Sequence, residues 1–490
     1  TTGAYFDNRP TLALQPGDTV LFKGGVVYRG RLVIRWAGRA GAPIVFDGNS
    51  AGAYGTGPAI LDGSEEITGW RPCASADECG GNPNFARILV TTIPAERGLT
   101  APALGLTQGE RMLYPSQYPA PQDPFYRDKV ETDYLRPDGR MTRTSITDAR
   151  LAELGGAALV GATIGVFVEQ NDLRWRRITG FDPRTDTITF EGLDRNPAGR
   201  YAIVNSAVAP VFQGPGEYVL DDQPDAHGRL RLWAWPHDDQ PISRVVQPLA
   251  MDLGDRGSHH VTIRGFTIRN YRLALRARNV EGVTVRDNRI TRMREGGYAH
   301  AVQFGRVTDL VFENNQLDHL PQMRGVVAHT GTRVAFRGNR VDRVGRSPLV
   351  FFFVDPGQIV GNTVTNCTGM HSNAITVYES SKNILVANNR VRDSLRPMTV
   401  QSSENIFVIQ NDFEADSTVI GIWPGRVNNL FFLNNLFRSR AQSVYVNQDR
   451  LGDGVWINNI WTGWEGFPLG GNHRLSHNLY LKAPTRLAEG

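Results

Sequence analysis

The segment LVFENNQL, residues 310–317, joins a short apolar run to a pair of asparagines and closes on a leucine. The same figure returns as VTVRDNRI (283–290), VAFRGNRV (334–341), ILVANNRV (384–391), IFVIQNDF (406–413), LFFLNNLF (430–437) and VWINNIW (455–461). Aligned on their asparagines, these coils place Asn288, Asn315, Asn339, Asn362, Asn389, Asn411, Asn435, Asn459 and Asn478 in one column, at intervals of 27, 24, 23, 27, 22, 24, 24 and 19 residues. A repeat near two dozen residues, built of strand-like pieces without helical periodicity, predicts a right-handed parallel β-helix with three short strands per coil. Leucine-rich repeats share the period but need several leucines per repeat and often a helix, and these are missing. We expect the column to exist because Asn tolerates the left-handed bend between strands and because stacked amides can bond from coil to coil. Nine coils at the strand spacing make a rod on the order of 45 Å long, enough to lie along several sugar units.

Composition agrees with a large globular chain. Its 490 residues are 40% hydrophobic and 9% aromatic, and no apolar run reaches the length of a membrane helix. The formal charge is +4, and Lys23, Lys129, Lys382 and Lys482 are the only lysines, so the basic side is nearly all arginine. Arginine suits bidentate contacts to carboxylates and phosphates, although coding bias in a GC-rich genome is the better explanation of the preference. Cys73 and Cys79 bracket a short polar loop suited to a local disulfide, which points to a secreted or periplasmic location, and Cys367 reads as a buried small hydrophobe. Gly-rich phosphate loops and CxxC pairs are absent, which argues against nucleotide and structural zinc roles, and we expect neither a nucleic-acid nor a membrane partner.

The N-terminal stretches LQPGDTVLFKGGVVYRGRLVI (14–34), GAPIVFDGN (41–49) and AILDGS (59–64) read as strands with Gly-rich turns. With PGDTVLF near the first coil, they resemble the opening coils of secreted β-helix carbohydrate-active enzymes, the group of polysaccharide lyases, glycoside hydrolases and epimerases. From about 96 to 242 the ladder lapses into other strand-like pieces and a possible short helix at SITDARLAELG (145–155). There GPGEYVLDDQPDAHGRLRLWAWPHDD (214–239) resembles the β-rich insertion that some of these enzymes carry. Trp233 and Trp235 alternate in that piece, so at least one is expected in the insertion's own core. The expected organisation is N-terminal coils over 1–95, an insertion over 96–242 and the main β-helix over 243–490, about 10–12 coils in all.

Alternation along the first strand of each coil sorts core from surface. We align Leu273 and Leu275, Val302 and Phe304, Val326 and Ala328, Val350 and Phe352, Ile375 and Val377, Met398 and Val400, Ile420 and Ile422, and Val444 and Val446 as inward pairs. The next outward column is then Arg276, Gly305, His329, Phe353, Tyr378, Gln401, Trp423 and Asn447. At the corner entering this strand stand His300, Arg324, His371, Asn373 and Arg396; Asp355 and Glu379 lie at its far end, with Lys382 in the following turn. The competing structural explanation is a polar face whose rings pack under a loop.

Two chemistries compete for this face. Glycoside hydrolysis needs two carboxylates across the scissile bond; Asp355 and Glu379 are the nearest pair, with Asp252, Asp255 and Glu404 outlying. β-Elimination from a uronate polymer needs a cation for the carboxylate, a base for the C5 proton and an acid for the leaving oxygen, which Arg324, Arg396, His329, His371 and Tyr378 can supply. The expected activity is therefore cleavage of an acidic polysaccharide by β-elimination, with His329 or His371 as base and Tyr378 as acid or second base. Arg276, His300, Asn373, Gln401, Trp423, Asn447 and Lys382 would bind substrate. The GHG of polygalacturonases, WIDH of pectate lyases and DPHD of mannuronan epimerases are not found. Lys382 with Glu379 resembles part of the lysine, arginine and calcium set of chondroitinase-B-like lyases, but MTVQSSEN (398–405) lacks the arginine, so calcium is unsupported and no cofactor is expected. A glycoside hydrolase using the carboxylate pair and a non-catalytic glycan-binding protein are the alternatives.

Overall fold

The computed structural model describes residues 4–5, 13–96, 99–128, 134–169, 171–221, 223–254, 257–293, 299–415, 418–439, 443–447, 451–462 and 472–481. It divides into two compact units, residues 1–64 with 246–490, and residues 65–245. The first is the expected right-handed parallel β-solenoid.

One solenoid face is a parallel sheet of thirteen described strands, from Ala4–Tyr5 through Ala59–Asp62, Phe266–Arg269 and Gln316–Leu320 to Leu479–Tyr480. That is more than the ten to twelve coils expected. Their register crosses the insertion without a break. Ile44–Asp47 pairs with Val261–Arg264, Ala59–Asp62 with Phe266–Arg269, and Leu32–Ile34 with Leu249–Leu253. The other two faces follow one another along the chain, and Leu273–Arg286, His300–Glu313 and Arg324–Arg337 each run through both as 14-residue strands.

The asparagine column forms, by half of the expected mechanism. Each Nδ2 donates to the next Oδ1, from Asn288 to Asn315 (3.1 Å), Asn339 to Asn362 (2.9 Å) and Asn389 to Asn411 (3.0 Å), through to Asn459 and Asn478 (3.0 Å). Each Nδ2 also reaches a backbone carbonyl, as Asn389 does to Ile359 at 2.8 Å. The left-handed bend, however, belongs to the preceding residue: Asp287, Asn314, Asn388, Gln410, Asn434 and Asn458 have φ between 53° and 58°, and Gly338 and Gly361 serve the same place. The ladder residues keep ordinary backbone and spend their amides on buried bonds, which burial makes expensive to leave unmade. Inside, one apolar core runs from Phe22 to Trp461, with Cys367 in it. Near its end Phe432 stacks on Trp456 with centroids 4.1 Å apart.

The second unit holds an eight-stranded and a six-stranded sheet over separate cores. Arg71–Pro72 and Leu89–Pro94 belong to the eight-stranded sheet, so residues 65–95 go with the insertion rather than with the N-terminal coils. The expected helix at 145–155 is a strand, Ser145–Thr147, followed by a single turn, Arg150–Glu153. Cys73 and Cys79 form the disulfide, packed with Trp233 and Trp235, both of which are buried and neither of which is a surface platform.

Candidate active site

The outer surface of the face that begins each coil carries the residues singled out from sequence, with two register changes. Pairing runs Arg278, Gly305, His329, Phe352, Tyr378, and the ladder Val377, Val400, Ile422, Val446 carries the column on to Gln401, Trp423 and Asn447. Arg278 thus replaces Arg276, because Leu273, Leu275 and Ala277 are all apolar and a two-residue slip preserves the alternation. Phe352 replaces Phe353, because the continuous run LVFFFV gives no alternation to read; Leu349 and Phe351 point inward, while Phe353 takes φ 54° and is exposed. Arg276 stands in the neighbouring outward column, held by Asp252 through two bonds of 2.9 and 2.8 Å.

Along the corner, Asn373 pairs directly with Arg396, and the registers Val326 to Leu349 and Leu349 to Ile375 put Arg324, Ser347, Asn373 and Arg396 on four successive coils. Both arginines lean forward across the face onto a ring of the next coil. The Arg324 guanidinium lies 5.4 Å from the Phe352 centroid and that of Arg396 5.1 Å from the Trp423 centroid, within cation–π range. Gly421 makes the second arrangement possible. A Cβ there would stand 3.3 Å from Arg396 Cδ, 3.2 Å from Thr399 Cγ2 and 3.7 Å from Trp423 Nε1. Tyr445 closes against Trp423 with centroids 5.6 Å apart.

Tyr378 stands between these two pairs. Burial pushes its phenol up to about 12, while a hydrogen bond from Thr399 and the charges of Arg396 and Arg324 pull the other way. Thr399 in turn lies 3.4 Å from Thr376 Oγ1. Burial lowers Arg396, and its Nε is a buried donor without a partner. His300 is held down to about 4 by burial and then by Arg324, so its ring is neutral at ordinary pH, and its Nδ1 is buried and unpartnered. The Oδ1 of Asn373, a residue 6% exposed, is likewise buried without a partner.

Other candidates fall outside this cluster. His329 is exposed and lies on the far side of Phe352, since the His329–Phe352 and Phe352–Tyr378 centroids are 6.0 and 6.2 Å apart. His371 occupies a left-handed turn and its carbonyl accepts from Ser347 at 3.0 Å. Glu379, also left-handed, is exposed, and Asp355 accepts from Asn383 at 2.8 Å in the following turn. Lys382 pairs with Glu404 at 2.6 Å rather than with Glu379. Gln401 donates to the Pro424 carbonyl at 3.1 Å, and Asn447 is exposed at the end of the column. Asp255 lies outside the described residues. Sequence alternation could have found Thr399, which stands between the inward Met398 and Val400, but nothing in the sequence marks it as a partner of the phenol.

Among the described residues no group of three or more His, Cys, Asp or Glu could hold a metal ion, so we derive no step through a metal. None of the described helices is long and apolar enough to cross a membrane.

No curated protein matches the chain. It shares its fold with a solved structure titled as a glycoside hydrolase, at 12% identity and a TM-score of 0.51, over 95% of this chain and 89% of that one. Weaker likenesses are to a complex of XylC with xylose (11% identity, 94% and 65% covered, TM-score 0.44) and to the catalytic unit of an α-1,3-glucanase from Streptomyces thermodiastaticus (9%, 81% and 97%, 0.32). Residues 257–473, somewhat under half of the chain and all of them in the solenoid unit, match the family model described as the periplasmic copper-binding protein NosD. The disulfide and this match agree with the secreted or periplasmic location read from the cysteines.

Proposed function

We propose that the protein cleaves a uronate-containing polysaccharide by β-elimination on the face centred on Tyr378. The observation that carries this reading is one titratable phenol set between two guanidiniums, each held over an aromatic ring, on a face whose one acid in the outward columns, Asp252, is already bound by Arg276. A carbohydrate substrate is supported at the level of class by the glycoside hydrolase whose fold the chain shares. The side chains favour elimination over hydrolysis, because a hydrolase would need two carboxylates across the scissile bond and, among the described residues, only the exposed Glu379 stands beside Tyr378.

In this mechanism Arg324 neutralises the carboxylate of the reacting sugar, which makes its C5 proton more acidic. Tyr378, one coil beyond Phe352, takes that proton as phenolate. The C5 electrons form the C4–C5 double bond, the C4–O bond breaks, and the new phenol gives its proton to the leaving oxygen. His329 is too far from the phenol, beyond Phe352, to share one C5–C4 unit with it. His371 stands in Tyr378's own coil as the alternative base. Arg396 and Trp423 hold a more distant sugar.

Incubation with a panel of uronate polymers tests the reading. Rising far-ultraviolet absorbance from an unsaturated uronate is the expected result. New reducing ends without that absorbance would replace elimination by hydrolysis, and binding without cleavage would leave a glycan-binding protein.

A further inference from the structure

Resting on that reading, we infer that the substrate is a homopolymer of uronate, with a carboxylate on every sugar, rather than a polymer alternating acidic and neutral units. Arg324 and Arg396 occupy the same position three coils apart, and the rings beneath them repeat it: Phe352, Tyr378, Gln401 and Trp423 are successive members of one column. The two cation–ring pairs have similar geometry, at 5.4 and 5.1 Å, so their separation is three strand spacings, about 14 Å. An extended pyranose unit advances a chain by about as much as one strand spacing. A chain lying along the face therefore brings sugars n and n+3 to the two guanidiniums. In a homouronan both carry carboxylates. In a strictly alternating polymer, acids recur at n+2 and n+4, so a chain seated on one arginine presents a neutral sugar to the other.

The second site is built rather than incidental. Arg396 lies across the space that Gly421 leaves open, its Nε is a buried donor lacking a partner, and Asn373 beside it in the ladder has a buried acceptor lacking one. A carboxylate at Arg396 would meet a planar donor with Trp423 as the floor for its sugar ring.

The inference predicts a step in affinity with oligomer length, because a trimer reaches one guanidinium and a tetramer reaches both. Calorimetric titration of the Tyr378→Phe protein with oligomers of galacturonate, mannuronate and guluronate is the test, since that variant should consume them about a hundredfold more slowly. For at least one of the three series we expect a gain of at least tenfold from trimer to tetramer, from one added charge-assisted contact. Arg396→Gln and Arg324→Gln, each checked by circular dichroism, should each abolish the step, and Arg396→Lys should restore part of it. Hyaluronan tetrasaccharides should bind no more tightly than a uronate dimer. A smooth length dependence, a step that survives Arg396→Gln, equal binding of the alternating tetrasaccharide, or no binding of any homouronate would overturn the inference. Failure of the elimination mechanism looks different: the step would remain, but the unsubstituted protein would yield no unsaturated product. Unsaturated product from hyaluronan without a step would leave elimination standing and remove the homopolymer.

Discussion

A half-buried phenol beside two guanidiniums is subject to opposed influences, and at Tyr378 burial, with a smaller push from Glu379, outweighs both charges and the Thr399 bond and raises it to about 12. If the phenolate takes the proton, kcat/KM should climb about tenfold per pH unit through the alkaline range below that value. A plateau from neutral pH would instead assign the base role to His371. Tyr378→Phe should lower cleavage by about a hundredfold or more at unchanged secondary structure. Thr399→Val removes a bond that lowers the phenol's pKa, so the alkaline rise should move to higher pH, a shift that a purely structural residue would not cause. His300 sends a separate signal through stability. Its folded pKa of about 4 is below its usual 6.5, so between those values the unfolded chain binds more protons. Stability should thus be full above pH 6.5 and fall as the pH drops toward 4. His300→Gln should flatten that part of a pH series of urea midpoints.

At the scale of the elements, the ladder's amides carry a cost that the sequence spacing alone conceals. Asn389 accepts from the backbone N–H of Asn362 and from its side chain, and donates to Asn411 and Ile359, so removing it strands buried groups on both neighbouring coils. Asn389→Ala should destabilise the solenoid by about 1–3 kcal/mol in a denaturant titration. By contrast Asn388, which supplies the left-handed bend, should accept Gly with little loss, because Gly adopts positive φ freely. Strand existence was legible because alternation and the Asn column both mark it. Register was legible only where apolar and polar residues truly alternate. It failed at Leu273–Ala277, where three apolar positions in a row of alternates admit two settings, and at LVFFFV, where alternation vanishes. Both slips fell on the candidate face and displaced Arg278 and Phe352 from it.

At the scale of the molecule, two units with separate cores predict separable unfolding. Reducing the Cys73–Cys79 disulfide should lower the stability of the insertion by about 2 kcal/mol and leave the solenoid's transition in place, as a two-transition melt with and without reductant would reveal. A single transition that moves as a whole would contradict this separation. Where the insertion starts was not legible, because short strands flanked by Gly-rich turns look alike whether they stack in a coil or pair in a sheet; only the pairing of Leu89–Pro94 with Arg229–Ala234 assigns the first to the insertion.

By itself the sequence determined the solenoid: its period, its asparagine ladder and, where apolar and polar residues alternate, the side of the strand that faces the core are local properties, repeated once per coil. It also listed the residue types able to act on an acidic polymer. The tertiary structure decided which of them meet. Arg324 and Phe352, or Arg396 and Trp423, are a coil apart and come together through stacking register and the length of an arginine side chain, while His329 is kept from Tyr378 by one intervening ring. Such contacts depend on the exact offset between coils, which a chain rich in interchangeable apolar residues does not record along its length.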